Sequence, residues 1–234
     1  RAHGLAGGQG IGHCVAFARR PGTFALIFQP AEEGGAGGKA MVDDGMIERF
    51  GITEAYGMHN SPGLEVGKFS IRSGPFYAAT DEFEITVTGK GGHAAKPHAS
   101  IDTTLIASHI IIALQSIASR NADPIKSIVV SVTSFRTETE AFNVIPERVT
   151  LRGTIRTFEK ELRALGEERL KALVPQIAGA FGGSAEIDWR PGYPATVNWE
   201  AETTYAAEAA RTVAGDVDTN AEPLMGGEDF SYVL

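Results

Sequence analysis

Across residues 74–80, "GPFYAAT", the hydrophobic pattern of this chain changes kind, and that change constrains the fold more than any figure of composition. Upstream, "TFALIF" (23–28) is a short continuous apolar run, the pattern of a strand buried on both faces. "KAMVDDGMIERF" (39–50) has apolar residues at helical spacing, and "ITEAYGMHN" (52–60) reads as a second strand ending in His59 and Asn60. Strand, helix and strand joined by short connections predict an α/β layer.

Downstream the period becomes two. In "DEFEITVTG" (81–89), Phe83, Ile85 and Val87 share one face and Glu82, Glu84 and Thr86 the other. A helix over 100–120 with Ser100 as its N-cap follows, then strands over 127–135 and 148–158. A charged amphipathic helix over 159–181 and a strand over 184–190 complete the series. The order β-α-β-β-α-β is that of a ferredoxin-like α+β unit. A helix over 200–215 and the segment 222–234 return to the first layer. The expected architecture is therefore discontinuous, with a first α/β part (1–77), an inserted unit (78–190) and a second α/β part (191–234).

A formal net charge of −8 argues against nucleic acid or an anionic membrane as the main partner. A single cysteine, Cys14, leaves no intrachain disulfide and fits a reducing, cytoplasmic compartment. No apolar run in the sequence approaches the roughly 20 residues needed to span a bilayer.

In open α/β sheets, ligands sit beyond the carboxyl ends of the strands. Two features fall there. One is the adjacent pair Glu32 and Glu33 in "FQPAEEGGAGG"; the other is His59. A carboxylate and an imidazole are suitable donors to zinc, and a second carboxylate beside them can take a proton from a metal-activated water. The plain alternatives are an acidic solvated loop and a histidine bonded to Asn60. In "GKGGHAAKPH" (89–98), His93 and His98 project from a glycine-rich loop. His93 could polarise a carbonyl or be a histidine exposed at a bulge. His109 lies in an apolar helix and reads as a core or interface residue. Asn143 could bind a carboxylate or cap a turn, and Glu228 in "MGGEDFS" is a possible site-wall carboxylate. Nucleophile elbows, phosphate loops and dinucleotide fingerprints are absent from the sequence.

Together, "LIFQPAEEGGAGGKAMVDDG", "YGMHN", "FEITVTGKGGHAAKPH", "FNVIPERVTLRGTIRTF" and "MGGEDFS" closely resemble the dinuclear metal amidohydrolases of the aminoacylase and carboxypeptidase type. The branch resembled contains hippurate hydrolase and the hydrolases of indole-acetyl-amino acids. The resemblance implies hydrolysis of N-acyl amino acids on a pair of divalent metals, zinc or manganese. It implies Glu32 as general base, Glu33 and His59 as metal ligands, and His93 and Asn143 as substrate contacts. The inserted unit would be a lid through which a homodimer forms.

The resemblance also has gaps. Where the family carries a Cys-Gly-His-Asp-Gly-His motif, this chain reads "RAHGLAGG". That places His3 on a ligand histidine, Arg1 on the cysteine, and Gly4 and Ala6 on the Asp and second His. The expectation is a chain incomplete at both ends, with an incomplete catalytic domain, an impaired metal site and poor activity. The alternative expectation is a non-catalytic dimeric homologue or fragment.

Overall fold

A computed structural model describes residues 22–234; His3 and Cys14 lie outside the described residues. The first elements of the described chain are a tight turn, α1 (Glu32–Gly35), in which Glu33 (ψ 77°) and Gly34 (φ 91°) leave helical angles, and two short helices, α2 (Gly37–Asp43) and α3 (Met46–Phe50). One helix was expected over 39–50. It is broken because Gly45 takes φ 80°, a left-handed position that glycine occupies without steric cost. The runs 23–28 and 52–60, expected as buried strands, form no strand ladder among the described residues. Phe24, Phe28 and Met58 are 77%, 86% and 82% exposed. An apolar run becomes a strand only when a neighbour takes up its backbone donors and acceptors, and the run itself does not specify that neighbour.

Two short strands, β1 (Phe69–Ser70) and β2 (Gly74–Tyr77), lead into the inserted unit. Its elements are β3 (Ala79–Thr88), β4 (Gly92–His93), α4 (Thr103–Ser116), β5 (Ile128–Thr137), β6 (Val144–Ile145), β7 (Arg148–Thr157), α5 (Lys160–Ala180) and β8 (Ser184–Pro191). The four long strands are antiparallel in the order β5-β7-β3-β8, the ferredoxin-like arrangement that the periodicity predicted. After it come β9 (Thr196–Asn198), α6 (Glu200–Ala214) and β10 (Val217–Asp218). β9 pairs antiparallel with β2, and β10 pairs parallel with β1. The chain thus leaves the β2–β9 pair for the four-stranded sheet after β2 and returns to that pair after β8.

Phe83, Ile85 and Val87 point inward from β3, as their alternation required. With Ile106, Ile110 and Leu114 of α4 and Leu170 and Val174 of α5 they form the core. Each such side chain contributes about 1.5–3 kcal/mol on burial. Gly153 is required opposite Phe83, because a Cβ there would stand 2.3 Å from the Phe83 ring.

The N-cap of α4 is Asp102 rather than Ser100. The Asp102 carboxylate accepts from the backbone N–H groups of Thr104 and Leu105, whereas the Ser100 hydroxyl donates to the Pro97 carbonyl. His109 is not a core residue: it is exposed and stacks on Phe181, with ring centroids 4.7 Å apart. One polar pair was not anticipated. Asp81, on the inward face of β3 and 1% exposed, accepts two hydrogen bonds from the Arg163 guanidinium at 2.6 and 2.8 Å.

Candidate active site

The glutamate pair sits in a strained turn. Ala31 (φ 50°) and Ala36 (φ 48°) both take left-handed backbone angles, which cost a residue with a Cβ roughly 1–2 kcal/mol each. Gly37 permits the close return that follows, since a Cβ there would stand 1.7 Å from the Pro30 carbonyl oxygen.

Side chains far away in sequence hold this turn. Asp229, fully buried, accepts from the Gly38 N–H at 2.8 Å through Oδ2 and from the Gln29 amide through Oδ1. The Tyr193 hydroxyl donates to the Glu32 carbonyl oxygen and accepts from the Gly34 N–H at 2.9 Å. Neither Asp229 nor Tyr193 was singled out from the sequence. Asp229 adjoins Glu228 in "MGGEDFS", and that adjacency was the one available signal; nothing local marks Tyr193.

Glu32, Glu228 and Asp229 each present a carboxylate oxygen within 4.8 Å of the others. Burial, then the negative charges of Glu228, Asp229 and Glu33, push the Glu32 carboxyl above the ordinary glutamate range; His59 acts weakly the other way. Glu228 caps the final 3₁₀ turn, Asp229–Tyr232, by accepting from the Phe230 N–H through Oε1. Its Oε2 lies 3.8 Å from Nε2 of His59. The other ring nitrogen, Nδ1, donates to the Asn60 carbonyl oxygen at 2.6 Å. That bond requires the proton on Nδ1, so a neutral His59 presents the lone pair of Nε2 toward Glu228. A backbone carbonyl often fixes a metal-binding imidazole in this tautomer. The Tyr77 ring flanks His59 at 6.0 Å, and burial followed by the Glu228 charge raises its phenol pKa.

The structure therefore brings together Glu32, Glu228 and His59 from the expected set and adds Asp229. Glu33 lies next to this group in sequence but is exposed and outside the cluster of carboxylates. His93 and Asn143 form a separate pair on the inserted unit. β4 pairs with β6, and the Ala94 N–H donates to the Asn143 carbonyl at 2.9 Å. Nδ1 of His93 accepts from the Ala95 N–H at 3.1 Å, which leaves Nε2–H of the neutral ring as a free donor. His93 lines an open groove of about 420 Å³ with Glu138, Thr139 and Glu147. His98 is exposed nearby.

Residues 3–234 match the family model described as peptidase family M20/M25/M40. The chain is 40% identical over 213 residues to an N-acetyl-L-cysteine deacetylase of Bacillus subtilis, covering 91% of this chain and 50% of that protein. It is 38% identical over 216 residues to a hippurate hydrolase of Campylobacter jejuni, covering 90% of this chain and 55% of that protein. Among solved structures, a Bacillus subtilis protein described as a dinuclear metal binding peptidase from the M20 family superposes with a TM-score of 0.70 at 36% identity. That match covers 88% of this chain and 51% of the other. A putative aminohydrolase from Staphylococcus aureus superposes with a TM-score of 0.78 at 30% identity, covering 88% and 53% respectively. The chain spans about half the length of the curated relatives it matches.

Proposed function

The chain belongs to peptidase family M20/M25/M40, and on that premise we propose that it carries the site of a metal-dependent hydrolase of the amide bond in N-acyl amino acids. The observation that carries this reading is the convergence of Glu32 and Glu228 with Nε2 of His59, the ring nitrogen not bonded to Asn60. Relatives named as an N-acetyl-L-cysteine deacetylase and a hippurate hydrolase support an acylated amino acid as the substrate class.

The residues present fit a divalent cation. Carboxylate oxygens and an imidazole nitrogen suit zinc or manganese, and the crowded negative charge that raises the Glu32 pKa is what a cation would offset. Glu33 and His59 would hold it, with His3 contributing from outside the described residues. When bound, such an ion supplies acidification of water and polarisation of a carbonyl.

Glu32 then has the proton work. Its carboxylate takes a proton from the attacking water and passes it to the departing amine nitrogen. The Asn60 carbonyl keeps the imidazole of His59 oriented, and Glu228 lines the wall of the site beside it. Nε2–H of His93 is a donor for the substrate carbonyl, and Asn143 contacts the substrate beside it.

The boundaries 1–77, 78–190 and 191–234 describe a catalytic part interrupted by a lid. We assign homodimerisation to that lid, since β5 is an edge strand and Leu105 and Ile112 of α4 are 48% and 69% exposed. Among the described residues no helix is long and apolar enough to cross a membrane. The single cysteine supports a cytoplasmic location.

A second reading, a dimeric homologue with weak metal loading and poor activity, is favoured by Arg1, Gly4 and Ala6 at the expected ligand motif and by the exposure of Glu33. Elemental analysis alongside hydrolysis of N-acyl amino acids separates the two. Stoichiometric metal with turnover supports the first, and metal-free, inactive protein supports the second.

A further inference from the structure

We propose that Tyr193 is a positioning residue for Glu32, linking the attachment point of the inserted unit to the turn that carries that carboxylate; this rests on the reading of Glu32 as general base. The phenol grips the turn at two places, donating to the Glu32 carbonyl oxygen and accepting from the Gly34 N–H at 2.9 Å. Both bonds span about 160 residues of sequence, so they bring the β8–β9 connection directly onto the glutamate pair.

The other end of Tyr193 is fixed where the chain enters and leaves the inserted unit. The Thr80 N–H donates to the Tyr193 carbonyl at 3.0 Å, and the Tyr193 N–H donates to Thr80 Oγ1 at 3.2 Å. Beside it, the Gly192 N–H donates to Asp81 Oδ1 at 3.2 Å, while the Gly192 carbonyl accepts from Arg163 at 3.0 Å and from the Tyr232 hydroxyl at 3.2 Å. The Tyr232 ring packs edge-on against Tyr193 at 6.1 Å. The backbone groups of Gly192 and Tyr193 are thus tied to β3, α5 and Tyr232, and the Tyr193 hydroxyl is tied to the turn of Glu32. A rotation of the inserted unit about this crossing carries the phenol with it, and the Glu32 turn must follow or lose two hydrogen bonds.

Without the phenol the turn keeps its other support, the Asp229 bonds to Gln29 and Gly38. Gly34 is exposed, so water can replace the hydroxyl once it is removed. That separates a positioning role from a merely structural one, and Tyr193→Phe keeps the ring while deleting only the grip.

The experiment compares unsubstituted protein, Y193F and T80V as full chains. Amide hydrogen exchange is measured across 31–38 without substrate, and kcat and KM are measured with an N-acyl amino acid and added zinc or manganese. The expected result for Y193F is Gly34 exchange about tenfold faster, exchange elsewhere unchanged, kcat lower by about tenfold and KM within about twofold. T80V should also speed Gly34 exchange although its phenol is intact. Unchanged Gly34 exchange in Y193F, or an unchanged kcat, overturns the positioning role; unchanged exchange in T80V overturns the link to the attachment point. Should the unsubstituted protein hydrolyse nothing, the reading of Glu32 as a base fails, and the two exchange measurements still decide whether Tyr193 and Thr80 fix the turn.

Discussion

Nε2 of His59 faces Oε2 of Glu228 across 3.8 Å, while Nδ1 of the same ring is held by the Asn60 carbonyl. The pair joins the loop after residue 58 to the segment 228–234, and the Asn60 bond fixes which nitrogen of a neutral imidazole is free to donate a lone pair. If that lone pair serves a metal, His59→Asn should lower affinity for zinc or manganese by at least about tenfold. Isothermal titration with each metal checks this; equal affinity in both proteins would remove His59 from the site.

Glu32 gives a kinetic expectation. Glu32→Gln keeps the size of the side chain but cannot take a proton, so kcat should fall by about 10²–10⁴-fold. Metal content should not fall with it. A variant that loses metal in proportion to activity would make Glu32 a ligand rather than a base.

The pH dependence follows from the direction of the Glu32 shift. Burial and the charges of Glu228, Asp229 and Glu33 raise its folded pKa above 4.5. Glu228→Gln removes one raising charge and should bring the folded pKa of metal-free protein closer to the ordinary glutamate value. For stability the sign is opposite to that of a paired carboxylate. Between the unfolded and the raised folded pKa the native state binds more protons, so this group's contribution falls as pH rises through that window. Urea midpoints of metal-free unsubstituted protein and E228Q at successive pH values test the two statements.

Asp81, buried on β3, and Arg163, half-buried on α5, form an ion pair. Arg163→Met strands a carboxylate that is 1% exposed, and should cost about 3–5 kcal/mol. The melting temperature should drop by on the order of 10 °C. D81N combined with R163M should recover part of that loss, as expected when an uncompensated charge is the cause. Full loss in the double variant would point to packing instead.

Much of the inserted unit was legible because its signals are local. Alternation in β3 and helical spacing in α4 and α5 specify which face is buried, and the observed core uses Phe83, Ile85 and Val87 as read. Glu32, His59 and Glu228 stood out through residue type and position. The runs 23–28 and 52–60 form no ladder among the described residues, because pairing depends on a neighbour that local pattern does not name. Asp229, Tyr193 and the Asp81–Arg163 pair were missed for a related reason. Each acts across long sequence separations, from Asp229 to Gly38 or Tyr193 to Glu32, and only the folded chain reveals the partner.

The most direct test of a metal-dependent hydrolase site is a joint measurement on unsubstituted protein and E32Q: bound zinc and manganese by elemental analysis, and hydrolysis of an N-acyl amino acid before and after chelation. The expected result is metal in both proteins, turnover only in the unsubstituted one, and turnover abolished by chelation and restored by added metal. Hydrolysis that survives chelation, or that proceeds equally in E32Q, would contradict it.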